Sequence, residues 1–153
     1  MSSIEELIHQ PNFKNKYQRA LISFIYANSI LNTKQQDYFK GFGITPQQFN
    51  VLRILRGQYP NPATVNLIRE RMLEKNSDVS RMVERLKKAE LLERVTCEQD
   101  RRAVDVVITQ KGLNLLQVID ADGEMDGEIF KCFNKEEIEK LNELLNKFID
   151  QKL

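Results

Sequence analysis

Hydrophobic residues recur along most of this chain at helical spacing, and one short interval breaks the rhythm. Phe13, Tyr17, Leu21, Phe24, Ile25 and Leu31 follow one another at three, four and seven or near multiples, which predicts a long helix over 13–40. Asn12 is the expected cap, with Pro11 just outside, and Gly41-Phe42-Gly43 ends the run. Thr45-Pro46 then supplies cap and first-turn chemistry, with Gln48 three residues on to complete a capping box. Phe49, Leu52 and Leu55 form that helix's apolar face, and Gly57 with Tyr59-Pro60-Asn61-Pro62 closes it.

Two shorter helices follow. The first, about 64–73, carries Val65, Ile68 and Met72; after a break near Lys75-Asn76-Ser77 the second runs about 78–89. Two helices of this length around a tight break predict a helix-turn-helix. The rhythm then changes. Residues 94–97 and 103–108 read as strands, the second (Ala103-Val104-Asp105-Val106-Val107-Ile108) rich in β-branched residues, with Glu98 to Arg102 as a charged connection. Thr109 caps a further helix bearing Leu113, Leu116 and Ile119, and Asn134 with Glu137 caps a last one bearing Ile138, Leu141, Leu145 and Phe148. The expected fold is mainly α with a small β-hairpin wing (α+β), a winged helix-turn-helix flanked by N- and C-terminal helices that form a dimerisation layer. It divides as an N-terminal helical part (1–44), a winged lobe (45–109) and C-terminal helices (110–153) of one compact chain.

Composition adds limits. At 153 residues, 41% hydrophobic and 29% charged, the chain is long enough to bury about 68–70% of its unfolded surface. Two cysteines, Cys97 and Cys132, do not make a disulfide framework. The start, MSSIEELIHQPNF, has no basic and apolar leader pattern, and no apolar run reaches the roughly 18 residues that span a membrane. The expected location is the cytoplasm. Net charge is +1, but residues 45–109 hold twelve basic and nine acidic residues, against six and ten in 110–153. Any nucleic-acid role therefore rests on where the cations sit.

Placement is most suggestive in the 78–89 helix. At 100° per residue, Val79, Met82, Val83 and Leu86 share one side, and Arg81, Arg85 and Lys88 cluster opposite, flanked by Asp78, Ser80 and Glu84. An arginine there can make a bidentate contact to guanine, and Ser80 can reach a base or a phosphate. Asn76 and Ser77 stand where a helix start offers N–H groups to a phosphate. Beyond it, Arg101 and Arg102 mark a tip (about 97–103) suited to a narrow minor groove, with Asp100 placed to orient one of them. Each feature alone also fits a solvated basic helix or an ordinary charged turn. Their order, helix then hairpin, favours double-stranded DNA.

These same residues carry a family resemblance. The pattern Asp100-x-Arg102-x-x-x-Val106-x-Ile108-Thr109, followed by Lys111-Gly112, looks like the wing signature of the MarR family of winged-helix transcriptional regulators, with Ile108 in place of the more usual Leu. Gly43-Ile44-Thr45-Pro46-Gln47-Gln48-Phe49 and Val79-Ser80-Arg81-Met82-Val83-Glu84-Arg85-Leu86 are also similar, and the likeness spans about residues 13–150. It departs in the turn before the 78–89 helix, where the family often has a Gly and an apolar residue and this chain has Leu73 and Glu74. The resemblance implies a homodimer on a pseudo-palindromic operator, usually a repressor released by a small ligand or by oxidation. A small aromatic or phenolic effector would sit where the long first helix meets the winged lobe, near aromatics such as Phe24, Phe42 and Phe49, which equally fit plain core.

Other chemistry is sparse. His9 is the single histidine, so no zinc site of usual type and no nucleophile–base–orienter set can be assembled. The acidic stretch 120–126 fails as a calcium loop, because the sixth position is Met125 and the twelfth Lys131. No cofactor and no enzymatic activity are expected. The alternatives are a winged-helix protein-interaction module without DNA binding, and a redox-responsive regulator acting through Cys97.

Overall fold

The computed structural model describes residues 2–96 and 104–151. Its elements are α1 (Ile4–Leu7), α2 (Lys16–Lys40), α3 (Pro46–Arg56), β1 (Ala63–Thr64), α4 (Val65–Arg71), α5 (Val79–Lys88), β2 (Leu92–Thr96), β3 (Val104–Ile108), α6 (Gln110–Asp122), α7 (Glu124–Phe130) and α8 (Lys135–Ile149). The three strands form one antiparallel sheet in the order β1-β3-β2, with Arg94 opposite Val106 and Thr96 opposite Val104. Helix-turn-helix followed by hairpin is the winged-helix arrangement that the hydrophobic pattern predicts.

Local chemistry sets most element starts. Thr45 and Asn134 form complete capping boxes with Gln48 and Glu137, and the Thr109 hydroxyl accepts from the Gly112 N–H. The long helix begins later than its apolar rhythm indicates. Asn15, not Asn12, accepts from the Tyr17 and Gln18 N–H groups, which leaves Phe13 outside the helix. Periodicity carried the expected helix back to Phe13, but only a side chain in capping geometry stops the turn. Two elements went unforeseen. Ser3 caps the one-turn α1, and Ala63–Thr64 pairs with Asp105 and Val106 of β3. Gly123, at φ 56°, ends α6 in the left-handed region and separates it from α7.

The core is concentrated in the winged lobe. Val51, Leu52, Leu55, Ile68, Val79, Val83, Leu86, Val106 and Ile108 are buried together, joined by Phe39 from α2 and by Leu116 and Ile119 from α6. By contrast, α8 buries none of its residues within the chain. Ion pairs fasten the flanks. Asp120 of α6 lies 3.0 Å from Arg53 and 2.5 Å from Arg56 of α3, and the Tyr38 hydroxyl donates to Asp122 at 2.7 Å. Among the described residues, no helix is long and apolar enough to cross a membrane.

One junction binds the lobe's parts. The Thr109 N–H donates to the Leu91 carbonyl at 3.1 Å, the Thr109 hydroxyl to the Glu90 carbonyl at 2.7 Å, and Lys111 Nζ to the Ala89 carbonyl at 2.9 Å. A β-carbon at Gly112 would stand 2.3 Å from the Leu91 oxygen and 2.7 Å from Ile108 Cγ1. An alanine there would gain about 0.5–1 kcal/mol of helix propensity, but forcing a methyl against backbone typically costs about 1–3 kcal/mol or more. Gly112→Ala is therefore expected to destabilise the fold by about 1–2 kcal/mol net in urea denaturation. An unchanged midpoint would refute the close-packing account.

A second prediction concerns α1. Its Glu5 carboxylate accepts a 2.6 Å hydrogen bond from Arg19 Nε of α2. That bond, with the Arg19 charge beside it, lowers the carboxyl pKa from 4.5 to about 2. Because the folded value is the lower, the stabilising contribution is full above pH 4.5 and disappears as pH falls toward 2. An NMR titration of the Glu5 carboxyl should give a midpoint well below that of an exposed glutamate. A midpoint near 4.5 would mean that the pair does not form in solution.

Candidate nucleic-acid interface

The centre of the site is α5. Asp78 is its N-cap, and its Oδ1 accepts from the Arg81 N–H at 3.0 Å. Four apolar residues turn inward, with Val79, Val83 and Leu86 buried and Met82 half-buried. Ser80, Arg81, Arg85 and Lys88 are exposed along the other side, as the 100° reading places them. Arg81 keeps 72% of its side chain exposed, and its Nε is held only loosely, 3.9 Å from Asp78 Oδ2. Arg85 and Lys88 make no ion pair among the described residues. Such pairs would lower the positive potential available to a polyanion, so their absence leaves α5 a cationic face.

The start of α5 differs in detail from the sequence expectation. Asn76 is exposed in the connection, but Ser77 is half-buried and one residue short of the cap, and its hydroxyl donates to Glu74 Oε2 at 3.3 Å. The Asp78 carboxylate, a stronger charge-assisted acceptor than a hydroxyl, takes the first-turn N–H. Ser77 therefore shapes the turn.

That turn is anchored from α3. Met72, 2% exposed, plugs into the core at the end of α4. The Leu73 N–H donates to Asn50 Oδ1 at 3.0 Å, and Gln47 Nε2 donates to Glu74 Oε2 at 3.0 Å. Leu73 itself points outward, 87% exposed. Two α3 side chains thus hold the residues Leu73 and Glu74, at which this chain departs from the family pattern.

The hairpin packs its base against α5. Residues directly opposite across a ladder share a face, so Arg94 shares one with Val106, the face that also holds Leu92 and Ile108. Arg94 reaches Glu84 of α5 in an ion pair, each side chain just under half exposed. This pair joins the wing's base to α5 and offsets the Glu84 carboxylate on that helix. Arg94 lies outside both the α5 face and the hairpin tip to which charge placement points. An arginine alternating in phase with Leu92, where an inward residue should be apolar, was the readable sign. The hairpin's connection, with Cys97, Asp100, Arg101 and Arg102, lies outside the described residues. Cys132, the other cysteine, is exposed.

This geometry matches known proteins. Residues 42–103 match the MarR family model. The chain is 29% identical over 119 residues to the HTH-type transcriptional regulator MhqR of Bacillus subtilis, covering 76% of this chain and 80% of that one. It is 28% identical over 111 residues to PecS of Dickeya dadantii, also an HTH-type transcriptional regulator, covering 71% and 67%. Among solved structures it is similar to a MarR-like transcription regulator from Bacillus cereus, with TM-score 0.79 and 23% identity over 91% of this chain and all of that one. It is also similar to MepR of S. aureus in complex with DNA, with TM-score 0.73 and 22% identity over 92% and 100%.

Proposed function

The lobe of residues 42–103 is of the MarR family, and on that premise we propose that the chain is a sequence-specific, double-stranded-DNA-binding transcriptional regulator acting as a ligand-responsive repressor. The observation that carries this reading is the exposed face of α5, where Ser80, Arg81, Arg85 and Lys88 stand on a helix whose opposite side is locked into the core. A helix so held can enter a major groove without rearranging, and its arginines can read guanine O6 and N7 while Lys88 serves phosphates. Asn76 and the Asp78 end of the helix lie at the backbone. Arg101 and Arg102, steered by Asp100, take the adjacent minor groove in this reading.

The functional unit is a homodimer. Tyr17 and Ile149 are each 74% exposed, and Leu21, Phe24, Ile25, Leu144 and Phe148 are exposed beside them on α2 and α8. The Phe24 and Phe148 rings meet at 5.5 Å, so the two helices present one apolar surface. Monomeric proteins rarely leave such a contiguous patch in water, and a second copy covers it self-complementarily about a twofold axis. That axis would set two α5 helices about one DNA turn apart, roughly 34–36 Å, over a pseudo-palindromic operator. In this reading Phe24 belongs to the dimer surface.

Two outcomes are expected. In gel shifts with the chain's own upstream promoter at several salt concentrations, the complex should be specific and weaken steeply with salt. There Arg85→Ala should cost about 1–3 kcal/mol on the preferred site and little on mismatched ones. Equal, feeble binding to every fragment would instead favour a protein-interaction module. Separately, Phe24→Asp combined with Phe148→Asp should give a folded monomer by light scattering. A dimer that survives both charges would place the interface elsewhere.

A further inference from the structure

Among the described residues, one ion pair joins β2 to α5. Arg94 Nη2 donates to Glu84 Oε1. The arginine comes from a row of the strand that is otherwise core. Leu92, in phase with it, is 1% exposed, and Val106, opposite it across the ladder, is fully buried. A long side chain in such a row keeps its charged head in water only by reaching past its neighbours. Here the head arrives beside α5.

On α5 itself, Glu84 stands among cations. At 100° per residue it falls about 60° from Arg81 and about 40° from Lys88 around the helix. Residues three and four apart are surface neighbours, and Glu followed four later by Lys is the favoured order for pairing. Glu84 pairs with neither. Lys88 makes no ion pair among the described residues, and the carboxylate beside Arg81 is that of Asp78, 3.9 Å from its Nε. Arg81, Glu84 and Arg94 line one groove beside α5, so both arginines are in the carboxylate's neighbourhood. A charge-assisted bond from a guanidinium is the stronger claim on it, and Arg94 makes that bond.

We infer that Arg94 is a positioning residue for DNA binding, one that withholds the Glu84 carboxylate from Arg81 and Lys88 and so leaves both cations free for the nucleic acid. The inference rests on the proposed DNA-binding role. Without Arg94, the carboxylate pairs within its own helix, and one cation fewer is available to displace counterions from phosphates. Arg94 itself touches no DNA in this account. Two other roles give different patterns. A direct phosphate contact makes loss of Arg94 costly whatever stands at position 84. A structural strut between β2 and α5 makes loss of either partner equally harmful. Withholding makes loss of Arg94 harmful only while position 84 is a carboxylate.

The test is a double-mutant cycle on the full chain, with binding to its own upstream promoter read by fluorescence anisotropy at several salt concentrations. Arg94→Met keeps the side chain's stem and removes its charge. It should weaken binding about fivefold, and log affinity should fall less steeply with log salt, by about one unit of slope. Glu84→Gln should bind at least as tightly as the unaltered chain. In the Glu84→Gln background, Arg94→Met should cost less than about twofold and leave the slope unchanged. Arg94→Lys, which keeps the charge, should also cost less than about twofold. In the chain without DNA, the side-chain NMR signals of Arg81 and Lys88 should shift in Arg94→Met and return in the double variant. An equal cost of Arg94→Met in both backgrounds would overturn the assignment in favour of a direct contact. A loss in Glu84→Gln matching that in Arg94→Met would overturn it in favour of a strut. Unmoved Arg81 and Lys88 signals, or a fivefold loss in Arg94→Lys, would overturn it as well. An unaltered chain that binds no operator would count against the regulator reading, while the NMR comparison would still decide what Glu84 pairs with.

Discussion

The contact between Gly112 and the Leu91 carbonyl holds the functional half of this molecule together. It lies where α5 ends, β2 begins and α6 leaves the sheet. Glu90, at φ 62°, turns the chain sharply there, and the carbonyls of Ala89, Glu90 and Leu91 all receive donors from the Thr109–Lys111 segment. Backbone groups left unpaired at a helix end are costly, so these three bonds close α5 and join it to the hairpin's far strand. The motif Ile108-Thr109 with Lys111-Gly112 is therefore structural. It sets where α5 stops and how closely the strands β2 and β3 lie beside it, and it needs the absent side chain of a glycine to do so.

With α5 fixed at its end by this joint and at its start by Met72, Asn50 and Gln47, charge decides what its exposed face can do. One acidic residue of α6 is drawn to the lobe. Asp120 pairs with both Arg53 and Arg56 on α3, offsetting one of their two charges, and Glu84 is offset by Arg94. Arg81, Arg85 and Lys88 are left facing water without a close counter-charge beyond the distant Asp78 oxygen. A chain of net charge +1 thereby presents a cationic rod, because internal pairing removes cations selectively. Exposed ion pairs add little to stability; here their effect is on the distribution of potential.

The helices at either end of the chain answer a different demand. A lobe whose core is already complete has no apolar surface left for α8, and that helix leaves Leu144, Phe148 and Ile149 in water. In the proposed dimer a second copy supplies that surface, and its twofold is what a repeated DNA site requires.

Capping chemistry and face assignment were legible from sequence because they depend on residues three or four apart. Thr45, Thr109 and Asn134 cap where expected, and α5 turns Val79, Val83 and Leu86 inward. The two β-branched runs form the hairpin, within two residues of their expected ends. The start of α2 moved from Asn12 to Asn15 because the apolar rhythm runs back to Phe13, while the side chain that bonds the first-turn N–H groups is that of Asn15. Short α1 and two-residue β1 left no periodic trace. What tertiary structure alone decided involves partners distant in the chain: Glu84 with Arg94, Asn50 with Leu73, and Gly112 with Leu91. Sequence determines which side of each helix is apolar, since that follows from one helix's own geometry. Which polar groups meet across elements depends on the packing angles of whole helices, and no local pattern encodes those.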